Sequence, residues 1–164
     1  MKILAFSDSH LHLEYMLHCV ACCRPDAIIH LGDYSQDAEV LQENYPAIPL
    51  YSVSGNCDQY KPGIHPPSIA LIELCGVRFY LTHGHKHGVK QSLQRLIADG
   101  RASGAHAVLF GHTHEFYVQQ YDGLWVINPG SCGFFGSSAA LITINNGKIS
   151  GCRILRQSDL EETL

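Results

Sequence analysis

The stretch that decides the fold is the first one, Lys2-Ile3-Leu4-Ala5-Phe6-Ser7-Asp8-Ser9-His10. An apolar, strand-forming run leads directly into an aspartate and a histidine, both of which can bind a metal ion. A strand that is followed by a polar group delivers that group to one edge of its sheet. Residues 2–7 are therefore predicted to form a strand that ends at Asp8 and His10. Because side chains at i and i+2 of an extended segment share a face, both can reach one ion.

The same pattern recurs four more times along the chain. Further apolar runs end at Gly32-Asp33, at Gly55-Asn56, at His83 and at Gly111-His112-Thr113-His114. Five such strands, side by side, would bring seven candidate metal ligands to one edge. The seven candidates are Asp8, His10, Asp33, Asn56, His83, His112 and His114.

Each motif alone also has a simpler explanation. Asp8 could cap the helix predicted from residue 11, and the Gly-Asp pair at 32–33 is a common turn. The whole set is more specific, because a two-metal site needs a bridging carboxylate, mixed imidazole and oxygen ligands, and open positions. The two ions of such a site lie roughly 3.5–4 Å apart. Asp33 is the natural bridge, since it is the carboxylate that stands alone after a buried strand.

Hydrophobic periodicity predicts the remaining elements. The predicted strands are 2–7, 26–31, 48–53, 68–74, 77–82, 106–110, 115–121, 123–128, 138–145 and 147–155, and the predicted helices are 11–23, 36–44 and 88–102. The loop 56–67 and the segment 84–90 are expected to border the substrate pocket. Strands and helices alternate in the first half, and hairpins dominate the second, which favours two packed sheets with helices outside. The chain, residues 1–164, is expected to be a single domain.

Composition narrows the class of function. The net charge of -4 and the scattered basic residues indicate no specific nucleic-acid binding. No apolar run reaches the roughly 20 residues of a transmembrane helix, and the start does not resemble a signal peptide, so no membrane partner is expected. Seven cysteines, an odd number, favour reduced thiols and a cytoplasmic protein. Strand edges could pair two copies of the chain, which leaves a homo-oligomer open.

Taken together, the motifs resemble those of the calcineurin-like metallophosphoesterase superfamily, and in particular its small bacterial and archaeal phosphodiesterase branch. The superfamily pattern is Asp-x-His, Gly-Asp, Gly-Asn-His-Asp/Glu, His and Gly-His-x-His, in that order. The chain matches it with Asp8/His10, Gly32-Asp33, Gly55-Asn56-Cys57-Asp58, His83 and Gly111-His112-Thr113-His114, and the match closes in Asn128-Pro129-Gly130-Ser131. The resemblance implies an α/β fold, a four-layer α/β/β/α sandwich of two mixed sheets flanked by helices.

The resemblance also implies two divalent metal ions. One ion would be held by Asp8, His10, Asp33 and His114, and the other by Asp33, Asn56, His83 and His112. Asn56 and His83 would also bind the substrate phosphate, and Asp58 would orient a neighbouring ligand. Manganese is the expected metal, while the mixed nitrogen and oxygen ligands also suit zinc, nickel and iron.

The implied activity is hydrolysis of a phosphoester by a hydroxide that bridges the two metals. Cys57 stands where most phosphatases of the superfamily have a histidine that assists the leaving group. Because a thiol donates a proton less readily than an imidazolium, a small phosphodiester with a good leaving group is the expected substrate. The candidate catalytic residues are Asn56, Cys57, Asp58 and His85. His85, or His87 beside it, is the alternative proton donor to Cys57.

Three other interpretations stay open at this point. The first is a phosphomonoesterase or nucleotidase. The second is a non-catalytic scaffold, since a retromer subunit has this same fold and resembles a phosphoesterase that has lost ligands; here, however, every ligand position is filled by a competent residue. The third is a zinc-stabilised structural protein, which is disfavoured because structural zinc sites prefer closed Cys/His sets over Asp and Asn.

Overall fold

Two five-stranded mixed sheets pack face to face at the centre of the molecule. The computed structural model describes residues 1–60, 65–133 and 137–161, with the backbone alone for 160 and 161. The strands are β1 (Lys2–Phe6), β2 (Ala27–His30), β3 (Leu50–Ser52), β4 (Ile69–Leu74), β5 (Val77–Thr82), β6 (Ala107–Leu109), β7 (Phe116–Tyr121), β8 (Leu124–Pro129), β9 (Ser138–Asn145) and β10 (Lys148–Arg156). The helices are α1 (Leu13–Cys23), α2 (Ser35–Asn44), α3 (Gln94–Ala102) and α4 (Gln157–Glu161).

The strand order explains why the candidate ligands meet. The first sheet has the order β10-β9-β1-β2-β3, in which β1, β2 and β3 run parallel to one another. The second sheet has the order β4-β5-β6-β8-β7, in which β5, β6 and β8 run parallel. Parallel neighbours end at the same edge of their sheet. The loops that follow β1, β2 and β3 therefore lie together, as do those that follow β5 and β6.

Three apolar clusters separate four layers. The central cluster lies between the sheets and takes alternate residues such as Ile3 and Ala5 from β1. The opposite face of β1, with Leu4 and Phe6, packs against α1 and α2. On the far side, Leu96 of α3 packs against the outer face of the second sheet. The predicted four-layer sandwich of two mixed sheets is confirmed.

Two predicted helices begin later than the sequence indicated. The helix predicted over 11–23 starts at Leu13, because His10 and Leu11 adopt positive φ angles of 45° and 71°, which no right-handed helix accommodates. The helix predicted over 88–102 starts at Gln94, because Gly88 has a φ of 66° and ends a short 3-10 turn at His85–His87. As a result, the residues just before each of these helices, which lie beside the strand ends, are in loop conformation.

The remaining differences are small. Strand β3 is shorter than the predicted 48–53, and α4, at the end of the chain, was not predicted. Within the predicted loop 56–67, Asp58–Tyr60 form a 3-10 turn, and residues 61–64 lie outside the described part of the chain. In the described residues, no helix combines the length and the hydropathy needed to cross a bilayer.

Candidate metal centre

The candidate ligands lie on loops whose backbone is bent sharply at the strand ends. Asp8, Asp33, His112 and His114 all have positive φ angles, of 52°, 57°, 70° and 62°. Such angles are uncommon for residues other than glycine, and they concentrate at functional sites where the surrounding structure holds them. The loops are also tied to one another, since the Asp8 amide donates to the Gly32 carbonyl at 3.0 Å.

Asp8 is a fully buried carboxylate with one oxygen held and the other directed into the site. Its Oδ2 accepts hydrogen bonds from the Ser7 hydroxyl at 2.6 Å and from the His112 amide at 3.0 Å. Its Oδ1 lies 3.1 Å from His114 Nε2 and 3.8 Å from His83 Nε2. Burial alone would raise the pKa of Asp8, but the hydrogen bond with His114 and the charge of His83 lower it below its usual value. Asp8 is therefore ionised and available to a cation.

Asp33 is held in the same way from the opposite side. Its Oδ1 accepts the Cys57 amide at 2.8 Å, and its Oδ2 lies 3.4 Å from His83 Nε2. Burial opposes ionisation, but the hydrogen bonds from His83 and Cys57 lower the pKa of Asp33 well below its usual range. The glycine at 55 makes this arrangement possible, because a Cβ there would lie 2.1 Å from Asp33 Oδ1.

Asp58 lies behind Asp33 and faces the backbone. Both of its carboxylate oxygens accept amide hydrogens: Oδ2 from Asp33 at 3.0 Å and from Gly55 at 2.7 Å, and Oδ1 from Ser35 at 2.8 Å. These three bonds join the loop after β2 to the loop after β3. Asp58 thus positions Asp33, and its carboxylate does not reach the centre itself.

His83 is buried in the middle of the cluster. Its Nδ1 donates to the Leu31 carbonyl at 2.8 Å, which directs Nε2 at the oxygens of the site. Asn56 Oδ1 lies 3.2 Å from that Nε2. Burial would lower the pKa of His83, but the hydrogen bond with Asp33 and the charges of Asp8 and Asp33 raise it. A metal ion bound at His83 Nε2 would replace the proton that this nitrogen shares with the Asp8 and Asp33 carboxylates.

Three further imidazoles complete the centre. The ring of His10 lies 5.4 Å from that of His114, and the ring of His112 lies 5.1 Å from that of His83, measured between centroids. Burial lowers the pKa of His10 and, together with the charge of His83, lowers the pKa of His112 to about 4. Both are neutral at pH 7, which is the form that binds a metal. Hydrogen bonding to Asp8 raises the pKa of His114.

The ligand atoms fall into two groups that share one member. The Asp8, His10 and His114 atoms lie within 4.8 Å of one another, and so do those of Asp8, Asp33 and His83. The carboxylate common to both groups is Asp8, whereas the sequence pointed to Asp33 as the bridge. Asn56 and His112 adjoin the second group through His83. Mixed carboxylate, amide and imidazole donors fit Mn²⁺, Zn²⁺, Fe or Ni²⁺.

The family is shown by comparison with known proteins. The model of the calcineurin-like phosphoesterase superfamily domain matches residues 1–147. The chain belongs to the calcineurin-like phosphoesterase superfamily. Members of this metallophosphoesterase family use divalent metals, in keeping with the donor set described above.

Curated relatives agree with this membership, and solved structures share the fold. A probable metallophosphoesterase of Mycoplasma pneumoniae is 30% identical over 156 residues, which cover 93% of this chain and 92% of the relative. Phosphodiesterase MJ0936 of Methanocaldococcus jannaschii is 27% identical over 146 residues, which cover 80% and 84%. A predicted phosphoesterase from Streptococcus pneumoniae has a similar fold, with a TM-score of 0.74 at 21% identity, covering 95% of this chain and 97% of that one. Zinc-bound Vps29 from Entamoeba histolytica matches with a TM-score of 0.73 at 17% identity, covering 95% and 98%.

Cys57 and His85, the two candidate proton donors, lie beside the cluster of candidate ligands. Cys57 is half-buried beside Asp33, and burial and this carboxylate raise the pKa of its thiol to about 11. The thiol is therefore protonated at neutral pH. The ring of His85 lies 5.5 Å from that of His83 and 6.0 Å from that of His112. Burial and the charge of His83 lower the pKa of His85, so its neutral form prevails.

A buried hydrogen-bond chain, to which no role was assigned from the sequence, lies behind the centre. The imidazole of His30, which is fully buried, accepts the Gly32 amide at Nδ1 and donates from Nε2 to Ser9 Oγ, at 3.3 Å and 3.1 Å. The Ser9 hydroxyl in turn donates to the Asp33 carbonyl at 3.3 Å. A histidine inside an apolar strand, three residues before Asp33, is the signal that could have identified it. Ser131, in the closing turn, similarly donates to the Asp8 carbonyl at 2.9 Å.

Proposed function

We propose that this chain is a phosphodiesterase that works with two divalent metal ions, and that residues 1–164 act as one catalytic domain. The observation that carries the proposal is the convergence of two buried, ionised carboxylates with His83 and Asn56 at one point. Two ionised carboxylates in a buried place are costly without positive charge beside them, which a metal ion would supply. Membership of a phosphoesterase superfamily names the reaction class.

The ligand roles follow the superfamily pattern. One ion is assigned to Asp8, His10, Asp33 and His114, and the other to Asp33, Asn56, His83 and His112. We retain Asp33 as the bridge. Asp8 sits at the junction of both groups, so it is expected to be as important as Asp33. Manganese is the proposed ion.

The reaction adds water across one phosphoester bond. When bound, the two ions would supply a hydroxide at neutral pH and neutralise the charge on the phosphoryl oxygens. Asn56 and His83, whose Oδ1 and Nε2 lie 3.2 Å apart, would orient the substrate phosphate. The bond between phosphorus and the leaving oxygen breaks, and a phosphomonoester and an alcohol or phenol are the products.

The leaving oxygen needs a proton, and two side chains can provide it. Cys57 holds its proton at neutral pH, because burial and Asp33 keep its pKa high. The same high pKa makes it a weak acid, which suits leaving groups that need little assistance. His85 is the alternative donor, and its Nε2 lies 3.1 Å from the Gln59 side-chain amide nitrogen at the exposed rim.

A diester is favoured over a monoester for two reasons. The weak acid at Cys57 is poorly matched to alkyl monoesters, whose leaving groups demand a stronger donor. The relative from Methanocaldococcus jannaschii carries the name phosphodiesterase. All seven cysteines are free thiols, which is consistent with the proposed cytoplasmic location.

The proposal is tested by activity and metal content together. The metal-depleted protein is assayed with bis-p-nitrophenyl phosphate and with p-nitrophenyl phosphate while Mn²⁺, Zn²⁺, Ni²⁺ or Fe²⁺ is added in turn. We expect diester hydrolysis with at least one ion, and an Asp33→Asn variant that loses turnover and at least one bound metal. Asp122→Asn is the matched control, because Asp122 is an exposed turn residue with a φ of 47°, which asparagine tolerates.

Each alternative has its own outcome in this experiment. Hydrolysis of the monoester alone would identify a phosphomonoesterase. Metal binding without hydrolysis of either substrate would favour a scaffold, a possibility raised by the similarity of fold to zinc-bound Vps29. Full activity of the Asp33→Asn variant would rule out the assigned bridge.

The role of Cys57 predicts a gain of function. A Cys57→His variant places a group with a pKa near neutrality where the thiol is now, so it should protonate poorer leaving groups. We expect activity on phenyl phosphate, whose phenol is a poorer leaving group than p-nitrophenol, to rise by at least tenfold relative to activity on bis-p-nitrophenyl phosphate. A Cys75→His variant, altered at an exposed turn, is the control. An unchanged ratio in Cys57→His would transfer the donor role to His85.

A further inference from the structure

A large cavity opens directly beside the candidate metal centre. Its volume is about 700 Å³, and His114, one of the assigned ligands, forms part of its wall. The opposite wall comes from the end of β10 and the residues that follow, including Arg156, Gln157 and Ser158. Pockets that hold small organic ligands measure roughly 300–1,000 Å³. A molecule in this cavity would therefore lie next to the reacting phosphorus.

The cavity contains a flat cationic and aromatic surface. The guanidinium carbon of Arg156 lies 4.9 Å from the centroid of the Phe116 ring, in a cation–π arrangement. Phe116 is 47% exposed, which is unusual for a large apolar side chain at the start of a strand. A guanidinium stacked on a ring has a second planar face that can stack on another ring. The pair is suited to bind an aromatic group.

The charged side chains of the cavity walls are of opposite sign. Glu115, exposed and immediately beside Phe116, lines the same cavity as Arg156, so one negative side chain accompanies the positive one. A second phosphate would meet repulsion from Glu115, whereas a neutral ring with polar edges would not. The Gln157 amide and the Ser158 hydroxyl offer hydrogen bonds to such edges.

A second, smaller cavity of about 310 Å³ adjoins the first at Phe116, and its walls include Lys90 and Thr113. It shares Glu115 and Phe116 with the first cavity but does not include a candidate metal ligand among its walls. A diester has two arms, and the two cavities offer a place for each. The larger one touches His114 and is the better match for a bulky arm.

We infer that the larger cavity is a subsite for a neutral arm of the substrate that carries an aromatic base, as in a nucleoside phosphodiester. Phe116 and Arg156 stack on the base and thereby select the substrate. This inference rests on the proposed function and specifies its substrate class. Stacking of a base on an aromatic side chain is worth roughly 1–3 kcal/mol, which corresponds to about 5- to 150-fold in binding.

Two substrates with the same leaving group test the subsite. Thymidine 5′-(p-nitrophenyl phosphate) carries a nucleoside arm, and methyl p-nitrophenyl phosphate carries a methyl group in its place. We expect kcat/KM for the nucleoside substrate to exceed that for the methyl substrate by at least tenfold. Phe116→Ala and Arg156→Met should each reduce this ratio by about tenfold and leave the kcat/KM for the methyl substrate nearly unchanged.

Two further variants separate stacking from charge and from general damage. Arg156→Lys keeps the positive charge and loses the planar group, so it should behave like Arg156→Met. Arg153→Met, on the same strand but outside the cavity walls, should retain the wild-type ratio.

The outcomes distinguish failure of the subsite from failure of the function. If neither diester is hydrolysed with any added ion, the proposed function itself is wrong. If both are hydrolysed and the ratio is unaffected in Phe116→Ala and Arg156→Met, the subsite is refuted. Two results would refute recognition of a neutral ring by stacking. One is an Arg156→Lys variant that keeps the wild-type ratio of kcat/KM values. The other is a tenfold preference for a substrate whose arm ends in a phosphate.

Discussion

At the scale of single residues, the centre depends on groups that never face the substrate. His30 illustrates this, because its buried ring joins the Gly32 amide to the Ser9 hydroxyl and, through it, to the Asp33 carbonyl. Burial lowers the pKa of His30, so the ring is neutral and its single ring proton is fixed on Nε2. Partners of this kind fix the orientation of metal ligands and so tune metal affinity.

Replacing His30 with alanine should loosen this support. The Gly32 amide and the Ser9 hydroxyl would lose a buried partner, which costs roughly 1–3 kcal/mol of the free energy of unfolding. Metal affinity should fall about 10- to 100-fold. Urea unfolding and metal titration measure the two effects. His18→Ala, on α1 and away from the centre, should change neither, and unaltered metal affinity in His30→Ala would show that the ring serves packing alone.

The close packing of Gly55 against Asp33 gives a second prediction for a single residue. A methyl group on Gly55 would lie 2.1 Å from Asp33 Oδ1 and 2.4 Å from the Asp33 amide nitrogen, so the carboxylate must move. Gly55→Ala should therefore lose metal binding and activity by at least tenfold. Gly151→Ala is the matched control, because a Cβ there meets nothing within 4 Å. Comparable metal binding in both variants would mean that Asp33 tolerates displacement.

At the scale of elements, the order of strands along the chain was more predictable than their neighbours in space. Period-two apolar patterns and the turns at Asp122-Gly123 and Asn146-Gly147 identified the strands, because such signals are local. The insertion of β1 between β2 and β9 is a non-local choice that no short segment contains. Helix starts were also missed, since the left-handed backbone at Leu11 depends on its amide bonding to Asp37, 26 residues away.

The same reasoning applies to the site. The seven candidate ligands could be named from the sequence, because each follows a strand whose apolar run is evident. Their distances from one another could not, because they depend on how the two sheets pack. The role of His30 was hard to assign for a similar reason, since its partner Ser9 lies 21 residues away.

The packing of α3 on β6 gives a prediction at this scale. A Cβ on Gly100 of α3 would lie 2.2 Å from a methyl group of Val108. Gly100→Ala should lower the free energy of unfolding by about 1–3 kcal/mol, although alanine is the better helix former. Val108→Ala should relieve the contact, so the double variant should be more stable than the sum of the single effects predicts. Urea unfolding of all four proteins measures this coupling, and strict additivity would contradict it.

At the scale of the whole molecule, the metal centre connects the two sheets. Asp8, His10 and Asp33 come from the first sheet, and His83, His112 and His114 come from the second. The Asp8 carboxylate already contacts both sides, through the His112 amide and the His114 ring. A bound ion would add further links across the same boundary.

Metal binding should therefore stabilise the whole fold. An ion at a concentration 100 times its dissociation constant would add about 2.7 kcal/mol to the free energy of unfolding. We expect the thermal midpoint to rise when the metal-depleted protein receives Mn²⁺ or Zn²⁺ and to fall again when a chelator is added. Differential scanning calorimetry measures the shift. An equal shift in Asp33→Asn would place the stabilising ion elsewhere.

The position of β1 has a consequence for synthesis on the ribosome. This strand is made first, yet one of its two neighbours is β9, which begins at Ser138. Until that segment emerges, one row of β1 amides and carbonyls has no partner strand. Late pairing of distant segments slows folding and exposes strand edges to aggregation. The nascent chain is thus vulnerable until the segment that begins at Ser138 has been translated, which is after all seven candidate metal ligands have been made.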